Sequence, residues 1–253
     1  MRIRLYLSVL AEPPMPALIL VSLFAWLALL LGGHNMHGSE HHHIVFDDIF
    51  PMLVQSAWPW FLMILAMMSP LHANAIQHLW ARSLSRRRIR AIIVFAIAYL
   101  AVWMLAGAVL ILGAKLLEVQ SREAGTAPLI GLLIAFIWQA SPWKQICLNH
   151  CHWVTRLSLS GLAADLDCLR FGLVKGCWCV GSCWALMFVS LVSGSVGLPL
   201  MLVVSLYLFI EQYLPARPPR WGNPLLKKML DEDNQRPIYR VSRNRVTLAR
   251  PCD

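Results

Sequence analysis

The chain has 253 residues, of which 58% are hydrophobic and 14% charged, and a formal net charge of +9. A soluble domain carries about 25% charged residues, so a water-exposed globule is excluded. Its basic residues are strung over separate segments rather than gathered on one face, which excludes a nucleic-acid interface and points to an anionic bilayer surface.

A spanning helix needs about 20 apolar residues. Residues 13–39, 49–81, 91–114, 124–143 and 176–210 contain no Asp, Glu, Lys or Arg. The chain starts "MRIR", then "AEPPMP" interrupts it before the first apolar run, so this segment reads as a short cytoplasmic lead and not as a cleaved signal. The first span is expected over 16–33. The outer His-rich loop covers 32–48 and begins "GGHNMHGSEHHH". The second span runs over 53–79 with a kink at Pro70, the third over 91–114 and the fourth over 127–146. The last window divides at "SGSVGLP" into spans over 175–193 and 197–214. Residues 216–253 form a basic tail. Its "NPLLKKMLDED" suits a short amphipathic helix on the membrane surface.

Lys and Arg collect on the cytoplasmic side of membrane helices. With the N-terminus inside, 20 of the 22 basic residues fall on inner segments, and only Lys115 and Arg122 fall outside. The expected fold class is therefore an all-α, polytopic membrane helix bundle of six spans, with both termini inside.

This orientation gathers soft metal-ligand side chains at one depth. Six of the seven cysteines lie between residues 147 and 183. Cys147 and Cys151 are four apart, as are Cys179 and Cys183, and Met68 and His72 repeat the spacing across Pro70. Such pairs share a helix face. Cys177 converges with them only if the helix begins near Cys179, loosened by Gly176. The cytoplasm keeps thiols reduced, and thiolate with thioether favours Cu(I), while Cys with His alone also suits zinc. The candidate site is thus Cys147, Cys151, Cys179, Cys183, Met67, Met68, His72 and Cys177, with Asn74, Gln77 and His78 as a polar shell. The competing reading is packing, because Cys and Met also fill apolar interiors. Cys168 and Cys252 read as ordinary residues. Cys179 and Cys183 are expected to face Cys147 and Cys151 within about 10 Å, several times a metal–sulfur bond. Small Gly181 and Ser182 allow a close helix approach, and Trp184 shields the site while Trp178 anchors it at the interface. Outside, His34, Met36, His37, His41, His42 and His43 suit low-specificity metal capture.

"WPWFLMILAMMSP", "WQASPWKQICLNHCHW", "FGLVKGCWCVGSCWALM" and a close at "EQYLP" resemble the predicted metal-binding integral membrane proteins, a bacterial family often labelled copper chaperones. The resemblance covers about residues 55–215. It implies Met67, Met68, Cys147, Cys151, Cys179 and Cys183 as the shared positions. Where the family pattern has adjacent cysteines before the tryptophan, this sequence has Ser182 before Cys183. No catalytic constellation is present, and no enzyme activity is expected. The expected function is handling of copper in the bacterial inner membrane, with a copper-receiving protein or a membrane complex as partner. The alternatives are a membrane thiol–disulfide oxidoreductase and a non-catalytic accessory or assembly subunit.

Overall fold

The computed structural model describes residues 15–32, 49–120, 126–151, 158, 161–212 and 221. Among these the regular structure is entirely helical. Helices α1 (Met15–Gly32) and α2 (Ile49–Met68) are followed by a 3-10 turn (Pro70–His72) and α3 (Ala73–Arg82). A second 3-10 turn (Ser85–Arg87) leads into α4 (Arg88–Gln120). Next come α5 (Thr126–Ala140), α6 (Pro142–Cys151), α7 (Gly161–Val192), a third 3-10 turn (Gly194–Val196) and α8 (Gly197–Gln212).

Four helices, α1, α2, α4 and α7, are long and apolar enough to cross a membrane. The pair α5 and α6 makes a fifth if it counts as one span, bent by 68°. Proline at the first position of α6 explains the bend, since it cannot continue the α5 hydrogen-bond ladder. At 16 residues α8 is apolar but short of a full span. The surface is apolar as well. Phe24, Leu105, Val109 and Phe136 are each at least 70% exposed, in patches that a soluble monomer rarely shows. These features are compatible with a membrane protein.

The helices extend beyond their charge-free windows. α4 takes in Arg88, Arg90, Lys115 and Glu118, because a helix continues until its backbone or solvation stops it, not where charge begins. α7 begins at Gly161, not at 175, so the residues ahead of the expected span are helical too and include Cys168. Gly161 adopts a positive φ of 79°, which suits the chain reversal before α7. Arg87 fixes this start, donating to the Gly161 carbonyl at 2.9 Å and to Asp165 at 2.5 Å, and Arg90 meets Asp165 at 2.6 Å. The second apolar window breaks at Ser69, where the 3-10 turn begun by Pro70 separates α2 from α3.

Packing centres on α4 and α7, the most extensive helix pairing. They run parallel: Phe95 meets Gly172, Val102 meets Gly176 and Gly113 lies near Phe188. "GLVKG" supplies the close approach. A Cβ on Gly172 would stand 2.5 Å from the Phe95 carbonyl oxygen, and one on Gly176 would stand 3.0 Å from Val102 Cβ. Small residues four apart permit such backbone proximity between membrane helices. α2 runs antiparallel to α4, with Trp60 at Trp103 and Gly107 and His72 at Tyr99. The bent pair runs antiparallel to α7, with Gly131 near Val189 and Cys147 at Gly181. These alternating directions bring the end of α2, the first half of α4, the end of α6, the middle of α7 and the end of α8 together.

Candidate functional site

At that shared end Met68 closes α2 and is 1% exposed. Its sulfur accepts the thiol of Cys179 from α7 at 3.8 Å. Two sulfurs on one soft metal ion, at about 2.3 Å each, lie about 4 to 4.6 Å apart. At 3.8 Å this pair, from helices far apart in sequence, stands slightly closer than that range, at the separation a near-tetrahedral angle between two such bonds gives. Met67, also buried, belongs to the same core cluster.

Cys179 is also the end of a chain of donors. The Trp103 indole N–H donates to the Tyr99 oxygen at 2.6 Å, and the Tyr99 hydroxyl donates to Cys179 Sγ at 3.2 Å. A hydrogen bond of this kind to sulfur is stronger when the sulfur is a thiolate than when it is a thiol. Trp103 in turn is held by Trp60, whose indole donates to the Trp103 carbonyl at 2.9 Å across the notch left by Gly107.

His72 lies in the turn after Met68. Its Nδ1 is 2.6 Å from the Met68 carbonyl. A carbonyl only accepts, so Nδ1 carries the proton and Nε2 of the neutral ring keeps its lone pair. The ring sits edge-on to Tyr99 at 4.1 Å.

From the other side come α6 and α7. Ser182 donates to the Cys179 carbonyl at 2.9 Å. Its oxygen is 4.0 Å from Cys151 Sγ and 3.2 Å from Cys183 Sγ, so these two sulfurs are at most 7.2 Å apart. Gly181 admits α6: a Cβ there would stand 2.7 Å from Cys147 Sγ. Together His72, Cys151, Cys179, Ser182 and Cys183 line a cavity of about 20 Å³, closed by Leu71, Leu148 and Leu208. A volume of this order holds about one water-sized species.

Three charged groups that the spacing argument overlooked also belong here. Lys144 of α6 and Glu211 of α8 pair at 2.5 Å, exposed by only 2% and 1%. Glu211 lines the cavity, as does Lys175, whose ammonium donates to the Cys151 carbonyl. A lone carboxylate and lone lysines at the ends of apolar runs were the available clue, since ionisable groups at such positions tend to be functional.

Other expected participants are placed elsewhere. Cys177 is exposed. Because α7 is continuous from Gly161, two residues of helix turn Cys177 away from Cys179, and the structure does not bring it to the cavity. Cys147 is half-buried and does not line the cavity, although its sulfur lies against Gly181. Asn74 is exposed, and His78 packs edge-on to Phe171 at 6.1 Å, so the polar shell is built instead by Tyr99, Ser182 and Lys175. Cys168 is buried among Ala75, Leu79, Ala91, Phe95 and Phe171, away from the other thiols. Trp178 stacks on His150 at 4.3 Å, and Trp184 meets Trp138 at 5.1 Å. His34, Met36, His37, His41, His42, His43 and Cys252 lie outside the described residues.

The donor types fit a soft monovalent cargo. The arrangement is not a closed cage: among the described residues, no three Cys, His, Asp or Glu side chains converge on one point as metal ligands. The donors surround a void, and the neutral Met68 stands beside it against Cys179.

The family model described as PpoB2, copper chaperone, matches residues 57–225. The chain belongs to that family. The match begins before the Met67/Met68 end of α2 and runs past α8, so it contains every residue lining the cavity. No curated protein and no solved structure matches the chain. Membership carries a role in copper handling to this copper chaperone family member, with a soft-ligand cavity as the place to look for it.

Proposed function

We propose that the protein is a membrane-embedded Cu(I) carrier that holds its cargo in the cavity between the turn after α2, α6, α7 and α8 and passes it to a partner protein. The observation that carries this reading is the Met68–Cys179 sulfur pair at 3.8 Å beside a one-ion cavity lined by Cys151, Cys183 and His72. Cys179 is the central ligand, Met68 the neutral one, and Cys151 and Cys183 the thiols that complete the set. Cys147, whose sulfur lies against Gly181 outside the cavity lining, hands the ion in or out. Copper in a reducing compartment is Cu(I), and a thioether among the donors disfavours zinc. Residues 32–48 collect metal on the outer face through their histidines, and the basic inner segments rest on the anionic leaflet of the bacterial inner membrane.

The test is copper content. The full chain, purified in detergent and loaded with Cu(I) under anaerobic conditions, is expected to bind close to one copper per cavity. Cys179→Ser should lose most of it, and Cys147→Ser/Cys151→Ser should lose a large part. Equal copper in wild type and Cys179→Ser would end the shared-site reading and leave the cysteines as packing.

A further inference from the structure

Resting on the reading of the cavity as a Cu(I) site, we propose that Lys175 is its specificity-determining residue: one fixed positive charge that admits a monovalent ion on two thiolates and disfavours a divalent one. Lys175 stands on α7 one turn before Cys179. Its ammonium reaches the Cys151 carbonyl, lies 5.9 Å from the centre of the Phe171 ring and lines the cavity with Cys151, Cys179 and Cys183. Among the described residues no carboxylate forms an ion pair with it. The other lysine nearby, Lys144, is neutralised by Glu211.

With its thiols protonated the cavity therefore carries one positive charge beyond balance. Charges in an apolar interior are costly unless paired. When Cu(I) enters, two thiols release their protons to solvent and two sulfur–copper bonds form. Copper stays monovalent and no electron moves. The copper–dithiolate unit bears one negative charge, and Lys175 cancels it. Met68 adds a neutral donor and leaves the balance unchanged. A zinc ion on the same two thiolates is neutral without help, so Lys175 would stay unbalanced beside it.

A purely structural role for Lys175 exists, because it caps the last carbonyl of α6. Substitutions separate the two. Lys175→Gln keeps a donor for the carbonyl and removes the charge, while Lys175→Arg keeps both. Purified full-length protein is titrated anaerobically with Cu(I) against a chromophoric chelator, and separately with Zn(II). Lys175→Gln should weaken Cu(I) binding by about tenfold or more and narrow the preference for Cu(I) over Zn(II), while Lys175→Arg stays within about threefold of wild type. Wild-type-like Cu(I) affinity in Lys175→Gln would overturn the proposal, as would an equal loss in both variants. Proton release on the wild type gives a readout independent of any variant: two protons per Cu(I) are expected, and one or none overturns it. Failure of the wild type to bind copper at all would defeat the copper reading itself, whereas copper binding indifferent to Lys175→Gln defeats only the role of Lys175.

Discussion

At the scale of single residues, the buried Lys144–Glu211 pair is the most exacting feature of the cavity wall. Each charge is tolerated only because the other stands 2.5 Å away, and Oε2 of Glu211 has no hydrogen-bond partner among the described residues. Removing one member leaves an uncompensated charge, which costs about 3–5 kcal/mol, while replacing both with apolar residues is often neutral or stabilising. Lys144→Met should therefore lower stability in detergent by an amount of that order, and Lys144→Met/Glu211→Leu should recover most of it. Denaturant unfolding of the two variants checks this. A single variant as stable as the double would mean that the pair contributes little. Around the thiols the same economy of partners holds: Tyr99 has one acceptor, Cys179, and one donor, Trp103.

At the scale of elements, the parallel contact of α4 and α7 decides whether the sulfurs meet. Tyr99 and Cys179 face each other only because Gly172 and Gly176 let the two helices approach. Gly172→Ala sets a methyl group 2.5 Å from the Phe95 carbonyl oxygen and 2.8 Å from Ala98 Cβ, both on a helix that cannot yield locally. Overpacking of this kind costs about 1–3 kcal/mol, and the variant should lose thermal stability and copper together. Gly113→Ala, on α4, is the control within the same helix pair. Its Cβ would meet only Phe188, at 3.6 Å, and alanine favours helix over glycine by up to about 1 kcal/mol. Thermal unfolding of both in the same detergent compares them, and equal behaviour would mean that the α4–α7 contact is not limiting.

At the scale of the whole molecule, α4 and α7 have 33 and 32 residues, about 50 and 48 Å at 1.5 Å per residue. Each exceeds a hydrocarbon core of about 30 Å, so in a bilayer crossed upright their ends would project into the interface or beyond. Arg87, Arg90 and Asp165 join those ends on the side where the thiols lie. Basic residues concentrated there predict that this side is cytoplasmic. Alkaline phosphatase fused after Gly125 should be active, as an outside position, and inactive when fused after Arg82. A fluorescent protein at the C-terminus should fold and fluoresce. The reverse pattern would invert the orientation and put the cavity on the oxidising side, where its thiols would favour disulfide chemistry.

Composition and periodicity alone determined an all-helical, apolar chain, because backbone groups in a charge-free run must bond within their own helix. The same local logic singled out Met68, Cys179, Cys183 and Cys151, since a spacing of four puts side chains on one face whatever surrounds them. Helix limits were less legible. Apolar windows mark where lipid can lie, whereas α7 runs on to Gly161 and its charged first turns are held by Arg87 and Arg90, contacts 78 and 75 residues away in sequence. For the same reason Cys177 looked like a ligand and is not brought to the cavity. The phase of a helix follows from where it begins, and tertiary contacts set that beginning. Which donors meet, at what distance, and that Lys175, Tyr99 and the Lys144–Glu211 pair stand around them, was decided only by folding. Those neighbours come from four different helices, and no local pattern in a sequence records how separate helices are turned toward one another.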